Sequence, residues 1–155
     1  ESSKSLFAQY GEKIVLPLDG AYLDAEGNRK EAMVGAIPSD AGLLDIGHET
    51  VKRYEKILLS AKTVFVNGPM GVFEKPETEF GTKAVWQALA DSQAYTVLGG
   101  GDSITETEKY GLVDQMGYLC TGGGALIRFL TGEELPVVKA LRYAAKTFPA
   151  EKPEE

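Results

Sequence analysis

Three glycine-rich segments carry the residues whose types and spacing could do chemistry: Asn67-Gly68-Pro69-Met70-Gly71, Gly99-Gly100-Gly101-Asp102-Ser103 and Thr121-Gly122-Gly123-Gly124. Glycines let an anion come close to backbone N–H groups, and a helix starting at such a turn adds unpaired donors and roughly half a positive charge. Two triplets, each between a strand pattern and a helix pattern, therefore point to phosphate; tight turning of the chain is the other job glycine does. Neither triplet fits the dinucleotide pattern G-x-G-x-x-G, and no Gly-Lys-Ser/Thr supplies a Walker A loop. Asp102 would repel a phosphate unless a cation lay between them, and Mg²⁺ favours one or two carboxylates together with phosphate oxygens and water. Asp102 thus reads as a magnesium ligand, with plain helix capping as the alternative. Glu74, in the loop after another strand end, could accept hydrogen bonds from ribose hydroxyls or could be a solvated loop glutamate.

The elements that must position these residues follow from periodicity. Residues 13–18 form an apolar run too short for a helix and interrupted by Pro17, which predicts a short buried strand. Gly27-Asn28 marks a turn in a polar loop. Residues 48–61 place Val51, Tyr54, Ile57 and Leu58 on one helical face and Lys52, Arg53, Glu55 and Lys56 on the other. Residues 63–66, 95–98 and 118–120 read as strands, each stopped by one of the glycine segments. Helices are predicted over 78–91, over 103–110 with Ser103 as its cap and Gly111 behind it, and over 125–130. The alternation of helix, strand and turn predicts an α/β, Rossmann-like three-layer fold with a mostly parallel sheet, in which the three turns share the carboxyl edge where ligands bind.

Bulk properties exclude other classes. The chain of 155 residues carries 16 basic and 23 acidic side chains, a net charge of −7, with a sequence pI near 4.8. That balance, without any cluster of three basic residues, argues against nucleic-acid binding. No stretch approaches the roughly 20 apolar residues of a membrane helix, and Glu1-Ser2-Ser3-Lys4 does not resemble a signal peptide. Cys120 is the only cysteine and reads as a small buried hydrophobe; the reducing cytoplasm is the compartment this suggests. His48 is the only histidine, which leaves no zinc-type ligand set. Of 18 glycines, against roughly 11 at the usual share of about 7%, the two triplets supply the excess.

Taken together, residues 66–74, Gly99-Gly100-Gly101-Asp102-Ser103 and Thr121-Gly122-Gly123-Gly124-Ala125, in this order and spacing, resemble phosphoglycerate kinase. Ile37-Pro38, Leu44-Asp45-Ile46-Gly47 and Gly132-Glu133-Glu134-Leu135-Pro136 add to the likeness, which runs from about Tyr10 to Leu141 and covers the latter part of the nucleotide-binding, C-terminal domain. The short polar loop around Glu26-Gly27-Asn28 is similar to archaeal or bacterial members. The resemblance implies that Leu43 and Leu44 border the adenine, that Pro69 and Val72 pack near the nucleoside, that Glu74 holds the ribose and that Asn67 touches phosphate. It places Gly100, Gly101, Asp102 and Ser103 on the phosphates and magnesium, and Gly123 and Gly124 at the phosphoryl group in transfer between 1,3-bisphosphoglycerate and MgADP, which yields 3-phosphoglycerate and MgATP.

The chain also departs from the family. The acid-substrate domain, with its basic patch and arginine, has no counterpart here, nor do the lysines of the early nucleotide domain; Arg29, Arg53, Arg128 and Arg142 match no family motif. His48 stands where many members have proline. The expectation is therefore a fragment: residues 1–134 as a partial nucleotide domain, 135–148 as a segment crossing back to the N-terminal domain, and 149–155 as a disordered acidic tail. The parent is expected to be a monomer. Alone, the fragment is expected to be inactive and prone to self-association through Val137, Val138, Leu141, Tyr143 and Phe148. A non-catalytic nucleotide-binding or structural α/β module is the alternative; a flavin or NAD oxidoreductase domain fails on the missing fingerprint.

Overall fold

Strand β4 (Thr63–Asn67), strand β5 (Tyr95–Gly99) and strand β6 (Tyr118–Cys120) form a parallel sheet in the order β4-β5-β6 in a computed structural model that describes residues 2–148. Their last residues stand in one row, Asn67 opposite Gly99 and Gly99 opposite Cys120, so the three glycine-rich turns leave the sheet side by side. Side chains alternate across the sheet. Val66, Thr96 and Leu98 are buried and meet helix α2 (His48–Ser60) and helix α3 (Phe80–Asp91) in a core with Ile46, Val51, Val85, Trp86, Leu89 and Leu112. Phe65 and Gly99 share the opposite side, where Leu126 of helix α5 (Gly123–Leu130) approaches them. Helices on both sides of a parallel sheet are the expected three-layer α/β arrangement.

Ahead of that sheet lies a second, antiparallel one. Strands β1 (Asp19–Leu23) and β2 (Arg29–Met33) form a hairpin, and the two-residue strand β3 (Asp45–Ile46) pairs with the other edge of β1. The strand expected over 13–18 is displaced: Gly11–Lys13 is a 3-10 turn, 14–17 are irregular, and pairing begins at Asp19. The reason lies in the donors. Pro17 has none, and the N–H groups of Leu18 and Asp19 both go to the Thr50 hydroxyl at 2.9 and 3.1 Å rather than to a neighbouring strand. Asp19 in turn accepts from the N–H groups of Glu49 and Thr50 at 3.0 and 2.8 Å, satisfying the start of α2 from a distant strand.

Three helix boundaries move. Helix α3 starts at Phe80, not 78, because the Thr78 hydroxyl is turned to the Val72 carbonyl, closing the preceding loop. Helix α4 (Gly101–Lys109) begins before Ser103: its N-cap is Gly100 with φ 102°, a conformation that only glycine adopts freely. Helix α5 likewise takes in Gly123 and Gly124. Helix α1 (Ser2–Tyr10) precedes the first sheet, and helix α6 (Pro136–Thr147) closes the described chain with Pro136 at its first turn. Val137, Leu141, Tyr143 and Phe148 are 64–73% exposed along this last segment. The acidic tail expected over 149–155 lies outside the described residues. No described helix is long and apolar enough to cross a membrane.

Candidate functional site

Residues 67–74, 99–103 and 121–125 meet at the carboxyl edge of the parallel sheet. The Gly100 N–H donates to the Cys120 carbonyl at 2.9 Å, joining the second turn to the third. A Cβ built on Gly123 would stand 2.9 Å from Gly100 Cα, 3.2 Å from Gly100 N and 3.2 Å from Asn67 Oδ1. Asn67, Gly100 and Gly123 therefore form one close-packed cluster in which a side chain at position 123 has no room.

Two helices open from that cluster. In α4 the first intrahelical bond runs from Ile104 N–H to the Gly100 carbonyl, and in α5 from Leu126 N–H to the Gly122 carbonyl. Neither N-cap has a side-chain partner among the described residues. The N–H groups of Gly101, Asp102, Ser103, Gly124 and Ala125 consequently have no acceptor among the described residues. Two helix N-termini meeting this way give a concentrated array of donors with the positive ends of two dipoles, suited to an oligophosphate. Gly101 and Gly124 leave open space where a Cβ would be, so a ligand can reach the backbone.

The loop after β4 is seated on α4 and α3. Gly68 N–H donates to the buried Ser103 hydroxyl at 3.0 Å, and Lys109 Nζ donates to the Phe73 carbonyl at 3.0 Å and pairs with Glu79. The Met70 and Gly71 N–H groups share the Thr82 hydroxyl at 3.1 and 3.3 Å. Val72 N–H donates to the Leu44 carbonyl at 2.8 Å, which brings the segment with Leu43 and Leu44 to the loop with Pro69 and Val72. Gly71 permits that approach, since a Cβ there would lie 2.5 Å from the Leu44 oxygen. Each residue expected at the site from sequence lies on this edge or on the two segments it brings together. Ser103 differs in one respect: its hydroxyl is committed to Gly68, leaving its backbone N–H as the free donor.

The site's acids are Glu74 and Asp102, both exposed, and Glu106, which is fully buried. Neither oxygen of Glu106 has a hydrogen-bond partner among the described residues. Burial, then the negative charges of Asp102 and Glu74, push its carboxyl up to about 8, with Lys109 pulling the other way. Sequence reasoning passed over Glu106; the available signal was its spacing of three from Ser103 and four from Tyr110, the face of α4 turned inward. Among the described residues no three His, Cys, Asp or Glu side chains converge into a metal cluster.

The family model for phosphoglycerate kinase matches residues 1–133. The phosphoglycerate kinase of Rhodopirellula baltica is 44% identical over 146 residues, covering 91% of this chain and 37% of its own length. That of Desulfovibrio desulfuricans is 47% identical over 133 residues, with 84% and 34% covered. Among solved structures, phosphoglycerate kinase from Pyrococcus horikoshii superposes with a TM-score of 0.83 at 38% identity over 95% of this chain and 37% of that one. The Coxiella burnetii enzyme gives 0.81 at 36% identity over 90% and 38%. The chain thus spans little more than a third of the length of the relatives it matches.

Proposed function

Because the chain belongs to the phosphoglycerate kinase family, we propose that it supplies part of the nucleotide side of reversible phosphoryl transfer between 1,3-bisphosphoglycerate and MgADP, giving 3-phosphoglycerate and MgATP. The observation that carries this reading is the convergence of α4 and α5, whose five free N–H groups open from the contact between Gly100 and Gly123. In the forward direction a β-phosphate oxygen of ADP attacks the acyl phosphorus, the bond from phosphorus to the carboxylate oxygen breaks, and 3-phosphoglycerate leaves. No covalent nucleophile is needed, so positioning and charge stabilisation suffice.

Each residue has a part in that chemistry. Gly101, Asp102 and Ser103 offer backbone N–H groups to the nucleotide phosphates beside Gly100 and Asn67. Gly124, next to Gly123, faces the phosphoryl group as it passes, with its N–H stabilising charge on the equatorial oxygens. Leu43, Leu44, Pro69 and Val72 border the adenine and nucleoside, and Glu74 accepts from the ribose hydroxyls. Asp102 fits a magnesium site, because its exposed carboxylate stands in the first turn of α4 beside the phosphate donors, and such an ion takes one or two carboxylates with water and phosphate as its other ligands. When bound, magnesium would offset the phosphates' negative charge against that of Asp102.

The acid substrate is held by the part of the protein outside these residues, to which 135–148 crosses back. The whole protein is a cytoplasmic monomer in this reading. The chain alone binds nucleotide weakly, transfers no phosphoryl group and self-associates through the exposed face of α6. Calorimetric titration tests the site: MgADP is expected to bind, and EDTA or Asp102→Ala to weaken it. Heat indifferent to both would sink the proposal in favour of a structural α/β module.

A further inference from the structure

Glu106 is the described residue whose place in the fold the phosphate cradle does not explain. A buried polar group without a partner destabilises the fold, and such groups point to a water, an ion or a functional role. Its setting narrows the choice. Glu106 stands four residues after Asp102 in α4, the spacing that places two side chains one above the other on a helix face. Ser103 and Lys109, one turn to either side, hold Gly68 and Phe73, so the loop carrying Val72 and Glu74 passes over Glu106. The charges that act on it most strongly, those of Asp102 and Glu74, belong to the two carboxylates assigned to the metal and the ribose.

We propose that Glu106 is a positioning residue for the metal–nucleotide complex, its carboxyl accepting a hydrogen bond from a water in the hydration shell of the magnesium held at Asp102. This rests on the nucleotide reading of the site. Magnesium keeps several of its waters, and outer-shell partners orient such waters at a cost of about 10- to 100-fold in metal affinity when removed. Both oxygens are sealed from solvent in this structure, so the contact requires the loop to move between its tethers at Gly68 and Phe73.

The test is made in the full-length protein that contains this chain, with Mn²⁺ as the probe. Free Mn²⁺ is measured by electron paramagnetic resonance in the presence of saturating ADP, and ADP affinity is measured separately in EDTA. Glu106→Met, with Glu106→Ala as a smaller apolar replacement, is expected to weaken nucleotide-dependent Mn²⁺ binding about tenfold while metal-free ADP affinity stays unchanged. Glu106→Gln, which keeps an acceptor oxygen, is expected to restore most of the loss. Mn²⁺ binding unchanged in both apolar variants, or an equal loss in EDTA, overturns the inference. The underlying reading fails separately, if Asp102→Ala leaves Mn²⁺ binding intact or the unsubstituted protein shows none.

Discussion

Gly100 and Gly123 touch through their backbones, and Asn67 Oδ1 lies against both. That contact, between residues 23 positions apart, sets the separation of the two helix N-termini. Gly123→Ala places a methyl 2.9 Å from Gly100 Cα, where backbone has to move. The expected cost is about 1–3 kcal/mol, as for other overpacked sites, together with loss of MgADP binding. Gly124→Ala is the control: its Cβ meets nothing within 4 Å, so the fold should keep its denaturation midpoint and only ligand affinity should fall. Equal midpoints for the two variants would contradict the packing argument.

Ser103 is read from sequence as a helix cap, whereas in the fold its hydroxyl braces the turn after β4 by accepting from Gly68 N–H. Ser103→Ala would leave that partly buried donor without a partner. Destabilisation of about 1–3 kcal/mol is expected in urea melts, with faster amide exchange at Gly68. Unchanged exchange there would show that the hydroxyl is not what holds the loop.

Why some of this was legible in the sequence and some not has a physical basis. Strands β4 to β6 are short runs rich in β-branched and aromatic residues, stopped by glycines; both signals are local, so their positions and shared edge follow from pattern alone. The phosphate cradle is legible for the same reason: backbone donors need glycine, and glycine leaves a mark. Strand β1 begins Asp19-Gly20-Ala21, which has no strand signature; it pairs because Asp19 and Thr50 bind each other's backbone across 31 positions. Glu106 was equally opaque, since a glutamate on a helix is ordinarily solvated and only the tertiary cover of the loop buries it.

Arg29 lies outside the glycine segments, yet it ties the hairpin to the rest of the fold. Its guanidinium donates to the Asp45 and Glu31 carboxylates and to the Glu77 and Ile46 carbonyls, all at 2.9–3.0 Å, and lies 5.1 Å from the Phe80 ring centroid. The Asp45 side chain is wholly buried; that burial raises its pKa despite opposing bonds from Gly81, Arg29 and Ile46. Arg29→Met strands the carboxylate, for an expected loss of about 3–5 kcal/mol. Pairing it with Asp45→Asn should recover part of that loss in a double-mutant cycle. Strict additivity would show the two residues to be energetically independent.

Glu106 should also give the fold a distinctive pH dependence. Its carboxyl is pushed up to about 8 from an ordinary 4.5, so between those values the folded chain holds a proton that the unfolded chain has released. The stability contribution is therefore fully present below about 4.5 and is lost as pH rises through about 8, with a slope no steeper than about 1.4 kcal/mol per pH unit. The depressed acids Asp19 and Glu31 act in the opposite sense and at lower pH, their contributions being lost on acidification through their folded values. Urea midpoints are accordingly expected to fall from pH 5 to pH 8 and to fall less in Glu106→Gln, which carries no titrating proton. Asp45, also raised, remains in both proteins, so the difference between the two curves isolates Glu106. If the curves run parallel through this window, Glu106 does not hold its proton in the fold, and the burial argued for it beneath the loop is wrong.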